Sequence, residues 1–443
     1  MSEQENKGYN TLDVTKKLGV AFDKIIEKTY GSHRAPEPLV TPTGIRHLDA
    51  LLGGGVVSSG PVFITSTPES GKSTFAYQFS SVFQNSNENT IIVYLDIEGA
   101  GNLKDSTEYR ISRIETFGLD TSRFKYEPVL LDVMEVFDLI NNLVEIKKQF
   151  EQKTGKEFNV LVVWDSVPST PASKTEEAAD PNKVIGLKGR QLSFCLEKYN
   201  SVLKFNKITF IGIDQVRADI KIDGPYAASE KSVGTFKNMK TATNIYSLQH
   251  NVQQWMFLSR GKQIARDDAM GVDGWYLDIF TEKNKLTVSQ HWVSCVFDKY
   301  SGIDKFWSEY TFLAQQTPSE RKLYQNKNRK LPFPLQISTS GNKVVLDVKN
   351  PHDPNISYKS EPFFRKHAKE KYENDETFRQ WFDYAMDMSI HYRITKGLFK
   401  DAKEGINALD NSDENPEEYD IPQGVGYDVE GEQYNPATGE VLE

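Results

Sequence analysis

Residues Ser66-Thr67-Pro68-Glu69-Ser70-Gly71-Lys72-Ser73 are the most informative segment of this chain. It follows an apolar run over residues 61–65 and precedes a segment with one apolar stripe at helical spacing, formed by Phe75, Phe79, Val82 and Phe83. A strand, a tight loop and a helix that begins at Gly-Lys-Ser form a cradle for nucleotide phosphates, because backbone N–H groups and the helix N-terminus point at the anion.

Each residue of this loop has a predicted role in binding ATP. Lys72 is expected to reach the β- and γ-phosphates, and the Ser73 hydroxyl is expected to ligate Mg²⁺. Further ATP contacts are predicted for Ser66, Thr67, Pro68, Glu69, Ser70, Gly71 and Thr74. The usual pattern begins with glycine, and Ser66 stands at that position here. The strand–loop–helix context, rather than the pattern alone, therefore favours a phosphate cradle.

Length and composition set broad limits. A chain of 443 residues suits one large core domain with appendages, or two to three domains. We find no apolar run of about 18 residues, and the first residues are polar and acidic, so neither a membrane span nor a secretory signal is predicted. Cys195 and Cys295 lie in apolar contexts and are expected to be buried thiols in the cytoplasm. The seven histidines show no ligand spacing, so no structural metal is predicted.

The net charge of −9 is unevenly distributed along the chain. Residues 404–443 contain 12 Asp and Glu and no Lys or Arg, which leaves 62 − 12 = 50 acids against 53 bases in the body. This acidic tail is too poor in apolar residues to fold alone. It is either a solubilising tail or a polyanion that competes with nucleic acid for a basic surface.

Alternating apolar runs and helical patterns predict the domain organisation. Residues 1–40 are expected to form a helix with an apolar stripe and a Pro-rich linker. The helix would pack either on its own core or on a neighbouring subunit, where it would serve oligomerisation. Residues 41–304 are predicted to form an α/β core with a mostly parallel sheet covered by helices on both faces. Its strands are expected near 61–65, 91–97, 160–165, 208–214, 255–259, 275–281 and 286–297, the last two as an antiparallel hairpin, with helices at 133–150 and 187–205. Residues 305–403 would be a small C-terminal domain with a helix near 378–388, and 404–443 a disordered tail.

Polar residues stand at the carboxyl ends of three of these predicted strands. Asp165 ends an apolar run, where a carboxylate can hold the Mg²⁺ shell at the carboxyl edge of a parallel sheet. Glu98 can orient and deprotonate the attacking water, although it could also be a helix cap or a surface acid, and Asp96 competes for the role. Gln215 can bond the γ-phosphate and report its loss, or it is a plain strand-end amide.

Two polar, basic segments leave the same edge of the predicted sheet. The first carries Lys174, Lys183, Lys188 and Arg190, and the second carries Arg217, Lys221, Lys231, Phe236, Lys237 and Lys240. Each segment alone could be solvated surface. Together, and attached to a sensor of the γ-phosphate, they are predicted to bind DNA.

These motifs resemble the RecA recombinase family, and most closely its bacteriophage UvsX-like branch, over about residues 40–300. The resemblance rests on residues 43–56, 68–73, 95–98, 163–167, 214–217 and 282–285. It implies that Lys283 and Lys285 reach the ATP of a neighbouring subunit, and it makes Tyr109 a candidate for stacking on adenine. The departures from the family pattern are Ser66, Asp214 in place of the usual Asn, an insertion around residues 102–108, and a second loop without a double glycine.

Two functions fit the resemblance. One is a DNA-dependent ATPase that uses ATP and Mg²⁺ to form helical filaments on single-stranded DNA and exchange strands with double-stranded DNA. The other is a ring helicase, or another hexameric ATPase such as an autokinase, on the same core. The lysine pair favours the first function, because ring helicases of this fold supply an arginine there. The resemblance also makes single-strand-binding and mediator proteins candidate partners.

Overall fold

The computed structural model describes the chain in segments. They are residues 36–86, 89–98, 114–173, 187–215, 250–265, 268, 270–287, 289, 291–314, 336–340, 343–349, 355–391, 426–427 and 433–434, with helical positions 20, 21, 23, 24 and 28. The chain divides into two compact units, Met1–Pro38 and Leu39–Glu443. Most of the predicted N-terminal helix and acidic tail lies outside the described residues.

The second unit begins with the elements that surround the phosphate loop. In chain order these are β1 (Val40–Thr41), α1 (Arg46–Leu52), β2 (Val56–Val57), β3 (Pro61–Ser66), α2 (Lys72–Asn85), β4 (Thr90–Asp96), β5 (Phe124–Pro128), α3 (Val133–Thr154), β6 (Asn159–Asp165), α4 (Leu187–Phe205) and β7 (Ile208–Gln215). The predicted strand–loop–helix order around Lys72 is therefore present.

The remaining elements complete the sheet and add a C-terminal region. They are β8 (Gln254–Gln263), β9 (Gly274–Asn284), β10 (His291–Asp298), β11 (Gly302–Asp304), α5 (Lys305–Ala314), β12 (Gln336–Ser340), β13 (Lys343–Lys349), β14 (Ser357–Lys359), β15 (Phe363–Phe364), α6 (Ala368–Asn374), α7 (Glu376–Ile390), β16 (Gly426–Tyr427) and β17 (Gln433–Tyr434). A 3₁₀ turn, Arg365–His367, precedes α6. Among the described helices, none combines the length and apolarity that crossing a bilayer requires.

Nine strands form the central sheet in the order β11-β10-β9-β8-β3-β7-β6-β4-β5. The six strands from β8 to β5 are parallel, whereas β9, β10 and β11 continue the sheet with antiparallel pairing. The predicted α/β fold with a mostly parallel sheet is confirmed, as is the hairpin of β9 and β10.

Two strand predictions differ from the structure. The strand predicted from residue 286 begins at His291, because Asn284 organises a turn in which its side chain accepts from the Leu286 amide and donates to Thr287. The edge strand β5 was not predicted, because only Phe124 of its five residues is fully buried and no continuous apolar run marks it.

Alternating strand residues build a separate hydrophobic cluster on each face of the sheet. On one face Val62 and Ile64 of β3 join α1, α2, α5 and α7, whereas on the other face Phe63 joins α3 and α4. Both faces of the parallel strands are therefore covered by helices, which is why these strands appear in the sequence as near-continuous apolar runs.

The region after residue 304 packs against the first of these clusters. Its small sheet has the order β12-β13-β14, with β15 also paired to β13. Arg46 of α1 forms ion pairs with Glu309 of α5 at 2.6 Å and with Asp383 of α7 at 2.8 Å. The predicted domain boundary at 304/305 falls between β11 and α5. The apolar residues of α5 belong to the same hydrophobic cluster as those of the central sheet.

Candidate nucleotide-binding site

Strand register brings the predicted site residues to one edge of the sheet. Ser66 at the end of β3 pairs with Gln215 at the end of β7, and Asp96 at the end of β4 pairs with Asp165 at the end of β6. These strands are parallel neighbours, so their carboxyl ends form one continuous edge. Ligands of open α/β sheets bind outside this edge.

Gly71 makes the turn from the phosphate loop into α2. Its φ of 93° is favourable only for glycine, and a Cβ at this position would lie 2.5 Å from the Phe297 ring of β10. Because Gly71 has no side chain to cap α2, the first N–H groups of the helix can serve an anion. Within the loop, the hydroxyls of Thr67 and Ser70 lie 2.6 Å apart.

Lys72 is 7% exposed, and its Nζ donates to Ser66 Oγ at 2.9 Å and to the Thr67 carbonyl at 3.1 Å. Burial lowers the pKa of Lys72, whereas the carboxylates of Asp165 and Glu98 act to raise it. Ser66, the departure from the usual glycine, thus contributes a hydroxyl that holds the lysine inside the loop. A flexible ammonium held by neutral oxygens can transfer to phosphate oxygens, which bind it more strongly because they carry charge.

Ser73 and Asp165 form the predicted metal site. Ser73 Oγ donates to Asp165 Oδ2 at 2.8 Å, and the Tyr94 hydroxyl donates to the same oxygen at 2.6 Å. Burial raises the pKa of Asp165, and these two hydrogen bonds oppose the rise. A hydroxyl beside a carboxylate supplies the hard oxygens that Mg²⁺ prefers when phosphates provide further ligands, so the residues fit the ion. Within the described segments, no three His, Cys, Asp or Glu residues cluster as a protein-only metal site.

Glu98 and Gln215 meet at the same edge. Glu98 Oε1 accepts from Gln215 Nε2 at 3.3 Å, from Ser166 Oγ at 2.7 Å and from Ser169 Oγ at 3.2 Å. Glu98 is exposed, as a residue that contacts water and a ligand must be. The contacts of the two serines with Glu98 were not predicted. Their position in the turn directly after Asp165 is the sequence feature that could have indicated them.

Asp96, the competitor of Glu98, has a different environment. It is 2% exposed and accepts a hydrogen bond from the Tyr126 hydroxyl of β5. An enclosed carboxylate is poorly placed to accept a proton from water, whereas Glu98 is exposed. The geometry therefore favours Glu98 as the general base.

Lys283 and Lys285 lie at the opposite edge of the sheet. Lys283 pairs with Trp255 near the start of β8, and the Lys285 amide donates to the Gln253 carbonyl at 3.0 Å. Lys283 Nζ donates to the His250 carbonyl at 3.1 Å. Burial and then the neighbouring Lys285 charge lower the pKa of Lys283 to about 8.

Two of the predicted DNA-binding residues are described. Lys188 and Arg190 lie in the first turn of α4, and Lys188 Nζ donates to the Pro168 carbonyl at 2.9 Å, close after Asp165. The others lie outside the described residues, as does the candidate adenine contact: Lys174, Lys183, Arg217, Lys221, Lys231, Phe236, Lys237, Lys240 and Tyr109. DNA binding by this set therefore stays a prediction.

One comparison with known families bears on the site. A protein-family model described as "ATPase: KaiC" matches residues 41–185, which contain the phosphate loop, Glu98 and Asp165. The large, mostly parallel sheet covered by helices is consistent with a RecA-like P-loop ATPase core, and the match supports ATP hydrolysis. No curated protein matches the chain.

Proposed function

We propose that this protein is a DNA-dependent ATPase and recombinase, similar to the UvsX-like branch of the RecA family. It assembles as a helical filament on single-stranded DNA and pairs that strand with homologous duplex DNA. It uses ATP, with Mg²⁺, to control its grip on DNA. The sequence resemblance and the ATPase core support the proposal. The strongest support is the position of the lysine pair, Lys283 and Lys285.

The lysine pair and the phosphate loop of one chain lie too far apart to act on one nucleotide. Across β8, Lys283 is aligned with Phe63 of β3, and Lys285 lies further toward the amino end of β3 than Val62. The phosphate loop begins at Ser66, at the carboxyl end of the same strand. At about 3.3 Å per residue, the three to five residue steps along β3 separate them by roughly 10–17 Å along the strand. Two further strand spacings separate β9 from β3 sideways. If these lysines contact ATP, the ATP belongs to another subunit.

Head-to-tail stacking would satisfy this geometry. One subunit would offer its carboxyl edge with the phosphate loop, and the next would offer its amino edge with the lysines. An interface between two different patches repeats without limit unless its rotation closes, so it produces either a filament or a ring.

The residues at the carboxyl edge divide the chemistry of hydrolysis. Lys72 moves from Ser66 to the phosphates and stabilises negative charge that develops during transfer. Glu98 accepts the proton of the attacking water. Bound Mg²⁺, held by Ser73 and Asp165, would neutralise phosphate charge. Gln215 donates to Glu98 and directly precedes the basic segment 216–243, which supports a role in coupling the state of the nucleotide to DNA binding.

The alternative is a ring helicase or another hexameric ATPase. The family match does not distinguish the two, because it ends at residue 185, before Gln215 and the lysine pair. The proposal favours the filament, since lysines at this edge resemble those of recombinases.

Electron microscopy with single-stranded DNA and a slowly hydrolysed ATP analogue tests the proposal. We expect open helical filaments whose length follows that of the DNA, together with ATP hydrolysis stimulated by that DNA. Lys72→Ala provides the control for dependence on nucleotide. Closed hexamers, or ATP hydrolysis that single-stranded DNA does not stimulate, would support the alternative function.

A further inference from the structure

A tyrosine that no sequence motif singled out contacts the metal-site carboxylate. Tyr94 lies in the middle of β4 and is 1% exposed. Its hydroxyl donates to Asp165 Oδ2 at 2.6 Å, which is shorter than the 2.8 Å bond from Ser73 to the same oxygen. The buried carboxylate thus receives two hydroxyls on one oxygen, one from the phosphate-loop helix and one from the sheet.

The ring of Tyr94 is fixed in place by its neighbours. It stacks on Tyr77 of α2 with ring centroids 4.7 Å apart and an interplanar angle of 8°. Phe124 and Tyr126 of β5 flank it, each with its ring centroid 6.0 Å away. Because α2 also carries Ser73, the stacking on Tyr77 fixes the position of the Tyr94 hydroxyl relative to the Ser73 hydroxyl. The phenol therefore links the orientation of Asp165 on β6 to that of the helix that begins at Lys72.

A buried carboxylate needs such donors to remain both charged and oriented. Desolvation disfavours the charged form, and hydrogen bonds from O–H groups compensate for part of that cost. With Ser73 alone, one bond would hold the side chain and its χ2 rotation would be less restricted. With both hydroxyls, Oδ2 is held from two directions.

We propose that Tyr94 is a positioning residue for the Mg²⁺–ATP site, which holds the Asp165 carboxylate in register with Ser73. This inference rests on the proposed nucleotide function. Tyr94 acts through Asp165 and takes no part in proton transfer or in phosphate binding. Removal of its hydroxyl should raise the Mg²⁺ concentration that nucleotide binding requires, without changing the affinity for the nucleotide once Mg²⁺ is saturating.

The test is a Mg²⁺ titration of the full chain with a slowly hydrolysed fluorescent ATP analogue. Tyr94→Phe keeps the stacked ring and removes only the hydroxyl. Loss of a hydrogen bond to a charged group should raise the half-saturating Mg²⁺ concentration about tenfold or more. At saturating Mg²⁺ the affinity for the analogue should return to that of the wild type. An unchanged titration would overturn the inference.

Tyr126→Phe is the matched control. Its ring belongs to the same aromatic group, but its hydroxyl bonds Asp96 instead of Asp165. We expect this variant to titrate like the wild type. An equal shift in both variants would mean that any lost hydroxyl in the aromatic group loosens the site, and it would overturn a specific role for Tyr94.

A double-mutant cycle with Asp165→Asn separates positioning from general stability. If Tyr94 acts through Asp165, adding Tyr94→Phe to Asp165→Asn should cause no further shift in the titration. Additive shifts would contradict the inference. If the wild type itself shows no Mg²⁺-dependent binding that Lys72→Ala abolishes, the proposed function fails first, and the two failures are therefore distinguishable.

Discussion

At the residue scale, Lys72 is held by neutral oxygens among acidic neighbours. Its ammonium is buried against Ser66 and Thr67, while Asp165, Glu98 and Asp214 supply negative charge nearby. Burial alone would favour loss of the proton, and the carboxylates oppose that loss. The partners of its ammonium are neutral oxygens, which the charged oxygens of a phosphate can replace.

Lys72→Ala should nearly abolish ATP hydrolysis. The change removes a positive charge directed at charge that develops on the transferred phosphoryl group, a loss of several kcal/mol of transition-state stabilisation. Steady-state ATPase assays with saturating DNA check this, with Lys148→Ala on the exposed surface of α3 as the matched control. Turnover within a few-fold of the wild type would contradict the assignment of the phosphate loop.

Glu98→Gln should separate nucleotide binding from hydrolysis. Glutamine preserves the shape and can still accept from Ser166, but it cannot accept the proton of water. We expect nucleotide binding and filament formation to persist while turnover falls by about 10²-fold or more. Normal turnover in Glu98→Gln, with a loss in Asp96→Asn, would transfer the role of base to Asp96.

At the element scale, α1 joins the core sheet to the C-terminal helices through charged contacts. Arg46 binds Glu309 of α5 and Asp383 of α7, and Asp49 accepts from the amide and hydroxyl of Thr43 just before the helix. Burial, with Glu309 as a minor contribution, raises the pKa of Asp49 to about 6, although the Thr43 bonds oppose this rise. The helix start therefore carries a carboxyl group that binds its proton more tightly in the folded chain than in the unfolded chain.

This raised pKa predicts how stability depends on pH. The folded chain binds the Asp49 proton more tightly than the unfolded chain, whose pKa is near 3.9, so this group destabilises the fold above pH 6 and ceases to do so as pH falls toward 4. Asp49→Asn should therefore gain stability relative to the wild type at pH 7. That gain, on the order of 2–3 kcal/mol, should shrink as pH falls to 4. Urea unfolding at several pH values measures the difference, and a difference that is constant with pH would contradict the prediction.

The elements that sequence could predict are those with strong local patterns. Strands β3, β6 and β7 are continuous apolar runs, and α2 has an apolar stripe at helical spacing. Their positions could therefore be predicted from the sequence, and so could the polar residues at the ends of the strands. The sequence could not place β5, whose edge position leaves most of its residues exposed, nor the contacts of Tyr94 and Tyr126. Those contacts depend on which strands become neighbours, and a single sequence contains no signal for that order.

At the scale of the whole molecule, the acidic tail and the basic segments are the main charge asymmetry. The twelve acids of residues 404–443 have no compensating Lys or Arg within the tail, and without them the body carries a small positive charge. If the tail competes with DNA for the basic segments, the competition is electrostatic and is weakened by salt.

Truncation after Lys403 should therefore tighten DNA binding at low salt. The gain should be larger for duplex DNA, whose charge density is higher, and it should shrink as salt is raised. Fluorescence anisotropy over a salt series measures both effects, while the ATPase rate of preformed filaments should not change. Equal affinities with and without the tail at low salt would leave it a solubilising role or a docking role for another protein.

At this scale, the proposed function requires that each ATP site is completed by the next subunit. Mixing a Lys72→Ala subunit with a Lys283→Ala/Lys285→Ala subunit tests it most directly, because each variant alone lacks half of every site. In one of the two mixed stacking orders, an intact phosphate loop meets intact lysines. We expect DNA-stimulated ATP hydrolysis, nearly absent from either variant alone, to return in part on mixing and to be greatest near equal proportions. Hydrolysis that stays absent at every mixing ratio, although both variants assemble on DNA, would contradict it.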